Sequence, residues 1–403
     1  AYAAARHLSL QPELPALIVS LATDYPDRWR RVILFTLSRL ATVQEDLPGA
    51  LEVVDALIEP WSLASDQELS SQRIWRMVWL AGEALAQLNA CFDVRAPSQT
   101  LESVQKALTD LLKRGMLDPA RRSRVGQVLD RLPGGDPRSG VSFAAPLWCQ
   151  IPESAFWFGE DEDAEIVDLD AFWIARYPVT NTQYAIFVES TGHKAPNHWH
   201  GPHPPPGLGN HPVVNVTWDD VSEYCVWWNA RLSGVRFDLW SPQEQRIVLP
   251  IPRDWQFRLP SSAEWEKASR GGLVIPRCPG GTLVDNPLPR RRYPWGDSWA
   301  LSTMQTEGDE TRCNVAESNL GTTTPVGMYP DGASPYGVMD VAGNVWEWCQ
   351  DWADTEQRYK IRRGGAFRYS HEHARCSASD RSHPNLAWPY VGFRVVLGPR
   401  IAE

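Results

Sequence analysis

The sequence predicts an α+β protein in two parts, an all-α segment over residues 1–135 and a sheet-bearing domain over residues 141–403. Three observations predict it. Apolar positions recur three or four apart through roughly the first 133 residues. Leu132-Pro133-Gly134-Gly135-Asp136-Pro137-Arg138-Ser139-Gly140 then makes a Pro/Gly-rich break. Beyond it, short β-like runs alternate with loops, and most of the twenty Trp lie there.

In the first part the apolar stripes predict helices over 26–41 (Trp29, Val32, Ile33, Leu37, Leu40), 47–58 (Leu51, Val54, Leu57), 72–88 (Trp75, Val78, Leu85, Leu88), 101–113 (Leu101, Val104, Leu108, Leu111) and 118–132. Asp24-Tyr25-Pro26 and Ser98-Gln99-Thr100 read as helix starts. Short helices on brief loops predict an α-hairpin or solenoid-like stack, without a fixed repeat period. The segment resembles the helical region that follows an NTPase module in bacterial signalling proteins of the NACHT type. That implies N-terminal effector or NTPase domains on a longer chain, and the chain opens on Ala1 rather than Met.

In the second part, strands are expected at 147–151, 156–158, 166–169 and 172–177, and helices at 181–190 and 219–231. Asp219-Asp220 places carboxylates at the second helix's N-terminus, where they favour the dipole. Residues 193–211 form a Pro-rich loop carrying His193, His198, His200, His203 and His211. Their spacing sets no tetrahedral ligands on a rigid element, so packing and hydrogen bonding are expected of them rather than zinc. Residues 233–255 read as an insertion or hairpin, and 273–292 as a loop whose Arg290-Arg291-Arg292 is a solvated face.

The densest stretch is Asp340-Val341-Ala342-Gly343-Asn344-Val345-Trp346-Glu347-Trp348-Cys349-Gln350-Asp351-Trp352. It fits neither a plain helix nor a plain strand, and its Trp bodies need a core built around them. Two further β-like runs follow, Arg362-Arg363-Gly364-Gly365-Ala366-Phe367 and Val391-Gly392-Phe393-Arg394-Val395-Val396. Together with Pro178-Val179-Thr180-Asn181, Pro212-Val213-Val214-Asn215, Arg258-Leu259-Pro260-Ser261 and Tyr293-Pro294-Trp295-Gly296-Asp297, these blocks resemble in order the signature of the formylglycine-generating-enzyme (sulfatase-modifying factor) family. The resemblance covers roughly 260 residues and implies a C-type lectin-like fold for 141–403. It does not fix a function, because one fold hosts many.

Bulk composition excludes some classes. Hydrophobic residues make 43% and charged residues 22% of the 403, an ordinary soluble balance. A net charge of −10 disfavours nucleic acid as a partner. No apolar run reaches the roughly 18 residues of a membrane span, and no basic-then-apolar leader opens the chain. Seven scattered Cys without a CxxC pair fit a reducing, cytoplasmic compartment better than a disulfide framework.

Three kinds of site follow from the resemblance. The first is structural calcium: Asp340, Gly343, Val345 and Glu347 stand at the family's ligand positions, as hard oxygen donors around a tight loop. A second set falls on Asn314 and Val315, with Ser318 where the family often carries Asp. Hydrogen-bonded turn capping by Asp340 and Glu347 is the alternative. The second kind is catalysis. The family's oxidases hold copper(I) on two thiolates, soft ligands that select that ion. Here the first position falls on Tyr369 and the second near His371–His373, leaving Cys376 alone in that segment and at a structural position. The related sulfoxide synthases take iron on helical-bundle His residues, and the helical part here has only His7. His371 and His373 would face opposite ways on a strand, which disfavours a metal there.

The third kind is recognition. Phe367, Arg368, Tyr369, Ser370, His371, His373, Ser379, Asp380, Ser382, His383, Asn385, Trp388 and Tyr390 mix rigid aromatics with small polar groups, as paratopes do. The arrangement resembles the variable proteins of diversity-generating retroelements. The favoured expectation is a non-catalytic module that binds a protein or peptide; the alternative is a metal- or oxygen-dependent oxidase or sulfoxide synthase.

Overall fold

The computed structural model describes residues 1–65, 67–92, 98–114, 117–142, 146–231, 237–239, 246–247, 251–252, 254–278, 281–299 and 312–401. The chain divides into two compact units, residues 1–117 with 121–137, and 118–120 with 138–403.

The first unit is built on helices α1 (Tyr2–Leu8), α2 (Leu14–Asp24), α3 (Pro26–Val43), α4 (Leu47–Leu63), α5 (Gln72–Phe92), α6 (Ser98–Arg114) and α7 (Pro119–Arg131). Pro occupies the first turn of α2, α3 and α4, where its missing N–H costs nothing. Asp46 caps α4 by accepting from the Gly49 N–H at 2.9 Å. The expected stripes are buried: Leu51, Val54 and Leu57 on α4, Trp75, Val78, Leu85 and Leu88 on α5, and Val104, Leu108 and Leu111 on α6. The periodicity did not announce α1 and α2. Leu14 to Ala22 is almost continuously apolar, so no face stands out, and Pro15 reads as a breaker rather than as a first-turn residue.

The second unit holds two main sheets. Its strands are β1 (Leu147–Ile151), β2 (Ser154–Phe158), β3 (Glu165–Leu169), β4 (Phe172–Ala175), β5 (Phe237–Leu239), β6 (Arg246–Ile247), β7 (Trp255–Arg258), β8 (Val274–Pro276), β9 (Leu283–Asp285), β10 (Trp346–Trp352), β11 (Lys360–Arg363), β12 (Ser379–Ser382), β13 (Val391–Gly392) and β14 (Val396–Pro399). The larger sheet runs β6-β5-β1-β4-β14-β7, the smaller β12-β11-β10-β13, and β2-β3 and β8-β9 are separate hairpins. Helices α8 (Asn181–Thr191), α9 (Trp218–Asn229) and α10 (Ser262–Arg270) each begin with a reciprocal capping box: Thr180 with Gln183, Thr217 with Asp220, and Ser261 with Glu264.

Aromatic packing fills the core. Tyr184, Tyr224 and Phe393 meet edge to face or stacked at 5.2–6.3 Å, and Trp228 lies flat on Phe257 at 5.1 Å. Indole N–H groups find backbone acceptors: Trp348 donates to the Val216 carbonyl and Trp218 to that of Cys349. At the centre lies an ion pair with both side chains fully buried. Arg394 donates to both oxygens of Glu347, at 2.6 and 2.7 Å, and also to the carbonyls of Ala175, Arg176 and Met339. It ties β10 to the C-terminal end of β4, inside the larger sheet.

Three local expectations change. Residues 346–352 do form a strand, β10, whose Trp346 and Trp348 are fully buried in the aromatic core while Trp352 at its end is exposed. The loop expected over 273–292 contains the β8-β9 hairpin. The Arg triplet is a solvated face only in part: Arg290, over Trp157, and Arg292, paired with Glu160, are exposed, but Arg291 is buried against Asn286 and two carbonyls. The hairpin expected over 233–255 falls largely outside the described residues. Among those described, no helix is long and apolar enough to cross a membrane.

Candidate functional site

The site grows from the turn after β11. Gly364 and Gly365 hold φ of +99° and +72°, the left-handed region, and a Cβ on Gly365 would stand 2.8 Å from the His373 carbonyl oxygen. The chain therefore folds back on itself. Phe367 donates from its backbone to Asn344, Tyr369 turns back onto Ala366, and His371–Ala374 forms a 3-10 turn. This corrects the strand geometry assumed for His371 and His373. His371 leaves that line to sit between Glu317 at 2.7 Å and Glu372 at 3.2 Å, with its ring stacked on Trp299 at 4.6 Å.

The second arm, residues 383–390, is clamped from the opposite side. Asn215 donates from its backbone to Trp388 and Trp218 to Pro384. Between the arms an aromatic cluster forms over buried Trp346. Tyr369 stands edge-on to Trp346 at 5.6 Å and to Tyr390 at 5.5 Å, and Trp388 stacks on Tyr390 at 5.8 Å. The Tyr390 ring also carries two guanidinium groups, those of Arg368 at 5.2 Å and Arg362 at 5.7 Å. Arg362 pairs with Asp380 at 2.7 Å. Burial and the neighbouring Tyr390 push the Tyr369 hydroxyl up to about 12, so it stays protonated at neutral pH.

Beside the cluster opens a cleft of about 750 Å³ that Phe367, Arg368 and Pro389 line from this side. Its other walls come from residues the sequence reading passed over: Asn181, His198 and Asn215 among them. His198 and Asn215 hydrogen-bond to each other at 3.0 Å. The signal available was the histidine-rich, Pro-rich loop itself. Its His residues have the hydrogen-bonding partners expected of them. His193 meets Asp220 and Glu223, His203 meets Glu189, and His211 meets Thr323.

The expected recognition residues do not form one continuous surface. Arg368, His373, Ser379, His383 and Asn385 are exposed, and Phe367, Tyr369, Ser370, His371, Asp380 and Trp388 half-buried. Ser382 and Tyr390 are buried, at 6% and 9%. Ser382 faces inward on β12, where its hydroxyl accepts from the Trp388 indole at 3.1 Å, and Tyr390 is covered by its aromatic neighbours. His383 lies against Tyr359, and neither it, Ser379 nor Asn385 lines the cleft. Arg381 is exposed above Tyr359.

Cys376 is fully buried, its Sγ accepts from the Ser269 hydroxyl at 3.2 Å, and burial pushes its thiol up to about 12. Among the described residues no group of three or more His, Cys, Asp and Glu side chains is placed to hold a metal ion.

The calcium positions were tested on their donors. Both Glu347 oxygens are engaged by Arg394, and one also accepts from the Trp265 indole at 2.6 Å. A calcium ion at Glu347 would have to share carboxylate oxygens that Arg394 already engages. Asp340 accepts from the Gly327 N–H at 2.6 Å, and burial raises its carboxyl to about 6. At the second set, the Val315 carbonyl is taken by the Ser318 N–H, while Asn314 Oδ1 is buried without a partner.

Residues 123–398 match the sulfatase-modifying factor enzyme 1-like domain. The chain belongs to this family. Its second unit is accordingly a C-type lectin-like domain of the formylglycine-generating-enzyme type. The chain is 30% identical over 285 residues to the formylglycine-generating enzyme of Streptomyces coelicolor, covering 58% of this chain and 72% of that enzyme. It is 28% identical over 262 residues to the serine/threonine-protein kinase pkn1 of Chlamydia caviae, covering 57% of this chain but only 33% of the kinase. Among solved structures, Treponema denticola variable protein 1 aligns with a TM-score of 0.43 and 22% identity, over 62% of this chain and 95% of that one.

Proposed function

We propose that the second unit is a non-catalytic recognition module whose aromatic cluster and adjoining cleft bind a protein or peptide, with the helical unit joining it to further domains of a longer chain. One observation carries the reading. In the segment where the family's oxidases need two thiolates, the one cysteine is buried in the core, and the accessible positions hold Tyr369, His371 and His373 beside an open cleft. Soft copper(I) has no thiolate pair to take there. Aromatics flanked by guanidinium and hydroxyl groups instead match the residue types that anchor protein interfaces.

The test is a binding screen with the purified full chain, followed by Tyr369→Ala, His371→Ala and Trp388→Ala. Loss of binding for Tyr369→Ala and Trp388→Ala with unchanged thermal unfolding supports the reading. A partner indifferent to all three sinks it. Kinship with formylglycine-generating enzymes favours a second reading, an oxidase using His371, His373 or Cys376. Stoichiometric copper or iron in the purified chain, with oxygen uptake on a thiol peptide, would establish that one instead.

A further inference from the structure

We infer that the cleft beside the aromatic cluster takes a carboxylate-bearing peptide, with Arg368 as the residue that selects the negative charge. The inference rests on the recognition reading above and names the chemistry of its ligand.

Of the described residues that line the cleft, one carries a formal charge, and it is Arg368. No Asp or Glu is among those described residues, in a chain whose net charge is −10. Burial lowers the His198 pKa, so that ring adds no positive charge at neutral pH. Arg368 is exposed and rests on the Tyr390 ring, with no carboxylate partner among the described residues. The guanidinium is thus oriented by an aromatic face yet left with its donors free, which suits bidentate capture of a carboxylate.

A second cation backs it from the other side of the cluster. Arg362 uses one nitrogen on Asp380, while its buried Nε and Nη1 have no hydrogen-bond partner. Arg362 is buried and does not line the cleft, so Arg368 is the guanidinium that an anion there meets. The walls complete the assignment. Asn181, Asn215 and Thr322 offer amide and hydroxyl groups that can pair with peptide main chain, and the Asn181 Oδ1 is buried without a donor. Phe367, Leu208 and Val214 supply apolar contact. A polyanion such as nucleic acid is disfavoured by the chain's overall charge.

The experiment selects phage-displayed random 12-mers on the immobilised full chain in 50 mM NaCl. Selected sequences are then resynthesised as free acids, as C-terminal amides, and with Asp and Glu replaced by Asn and Gln. The expected result is enrichment of acidic residues or of free C-termini. Affinity should fall at least tenfold when the responsible carboxylate is neutralised, and the synthetic arms separate the side-chain from the terminal source. Arg368→Gln should lose the same factor and the charge discrimination, with Arg368→Lys retaining part of both. Because Arg368 is exposed, its variants keep the wild-type circular dichroism and unfolding temperature.

Charge-indifferent peptides that still require Trp388 would overturn this inference and leave the recognition reading standing. Unchanged affinity for Arg368→Gln, or tighter binding of a dT20 oligonucleotide than of any peptide, would overturn it as well. Selection of no peptide at all overturns both.

Discussion

Arg394→Met removes the guanidinium at the centre of the second unit and leaves Glu347 buried beneath both sheets. Five hydrogen bonds go with it, two to the carboxylate and three to the carbonyls of Ala175, Arg176 and Met339. Among the described residues, the Trp265 indole alone still donates to Glu347. Removing one partner of a buried pair typically costs about 3–5 kcal/mol, because the remaining charge has lost its compensation. In a unit of this size each kcal/mol lowers the unfolding temperature by about 2–4 °C, so a drop of about 6–20 °C is expected. Most Trp lie in this unit, so thermal unfolding followed by Trp fluorescence reads it. The decisive comparison is a double-mutant cycle. Glu347→Gln combined with Arg394→Met should cost clearly less than the sum of the single changes, with a coupling of at least about 2 kcal/mol. Additive losses, or a drop under about 3 °C for Arg394→Met, would refute the idea that this pair organises the core.

Other expectations follow from neighbouring groups. Raising the Asp340 carboxyl from 3.8 to about 6 costs the folded state about 3 kcal/mol at neutral pH. The folded form binds that proton more tightly than the unfolded form, so the penalty is absent below about pH 4 and grows as pH rises toward 6. Asp340→Asn should therefore stabilise at pH 7 and flatten the stability profile between pH 4 and 6, and Asn tolerates the position's φ of +57°; an unchanged profile in unfolding titrations would contradict this. Calcium at millimolar concentration, or its chelation, should leave the unfolding temperature unmoved, since Glu347 is engaged by Arg394; a rise of several degrees would restore the calcium assignment. Lys360 Nζ lies 3.9 Å from the Trp218 ring and 3.7 Å from the Trp352 ring and donates to the Gln350 carbonyl. Lys360→Met should cost about 2 kcal/mol in chemical unfolding through lost cation–π and hydrogen-bond energy, whereas a stabilised variant would show that its burial penalty dominates.

The legibility of the site was uneven for a physical reason. Tyr369, Arg368 and Trp388 were readable because residues near in sequence share one loop and one local chemistry. Ser382 and Tyr390 were misplaced because residue type does not reveal which way an irregular loop turns each side chain. The far wall of the cleft, Asn181, His198 and Asn215, comes from segments more than 150 residues away in the chain.

What the sequence by itself determined was the helical stripes of the first unit, the capped helices and the family blocks that make the second unit a C-type lectin-like domain. These depend on spacing, and spacing is local. What only the tertiary structure decided was which groups face one another: that Glu347 meets Arg394 rather than an open loop, that Cys376 lies inside, and that Arg368 is the one charged group among the described residues lining the cleft. Such pairings depend on how distant segments close on each other, and a partner's charge and solvent exposure exist only once they have closed.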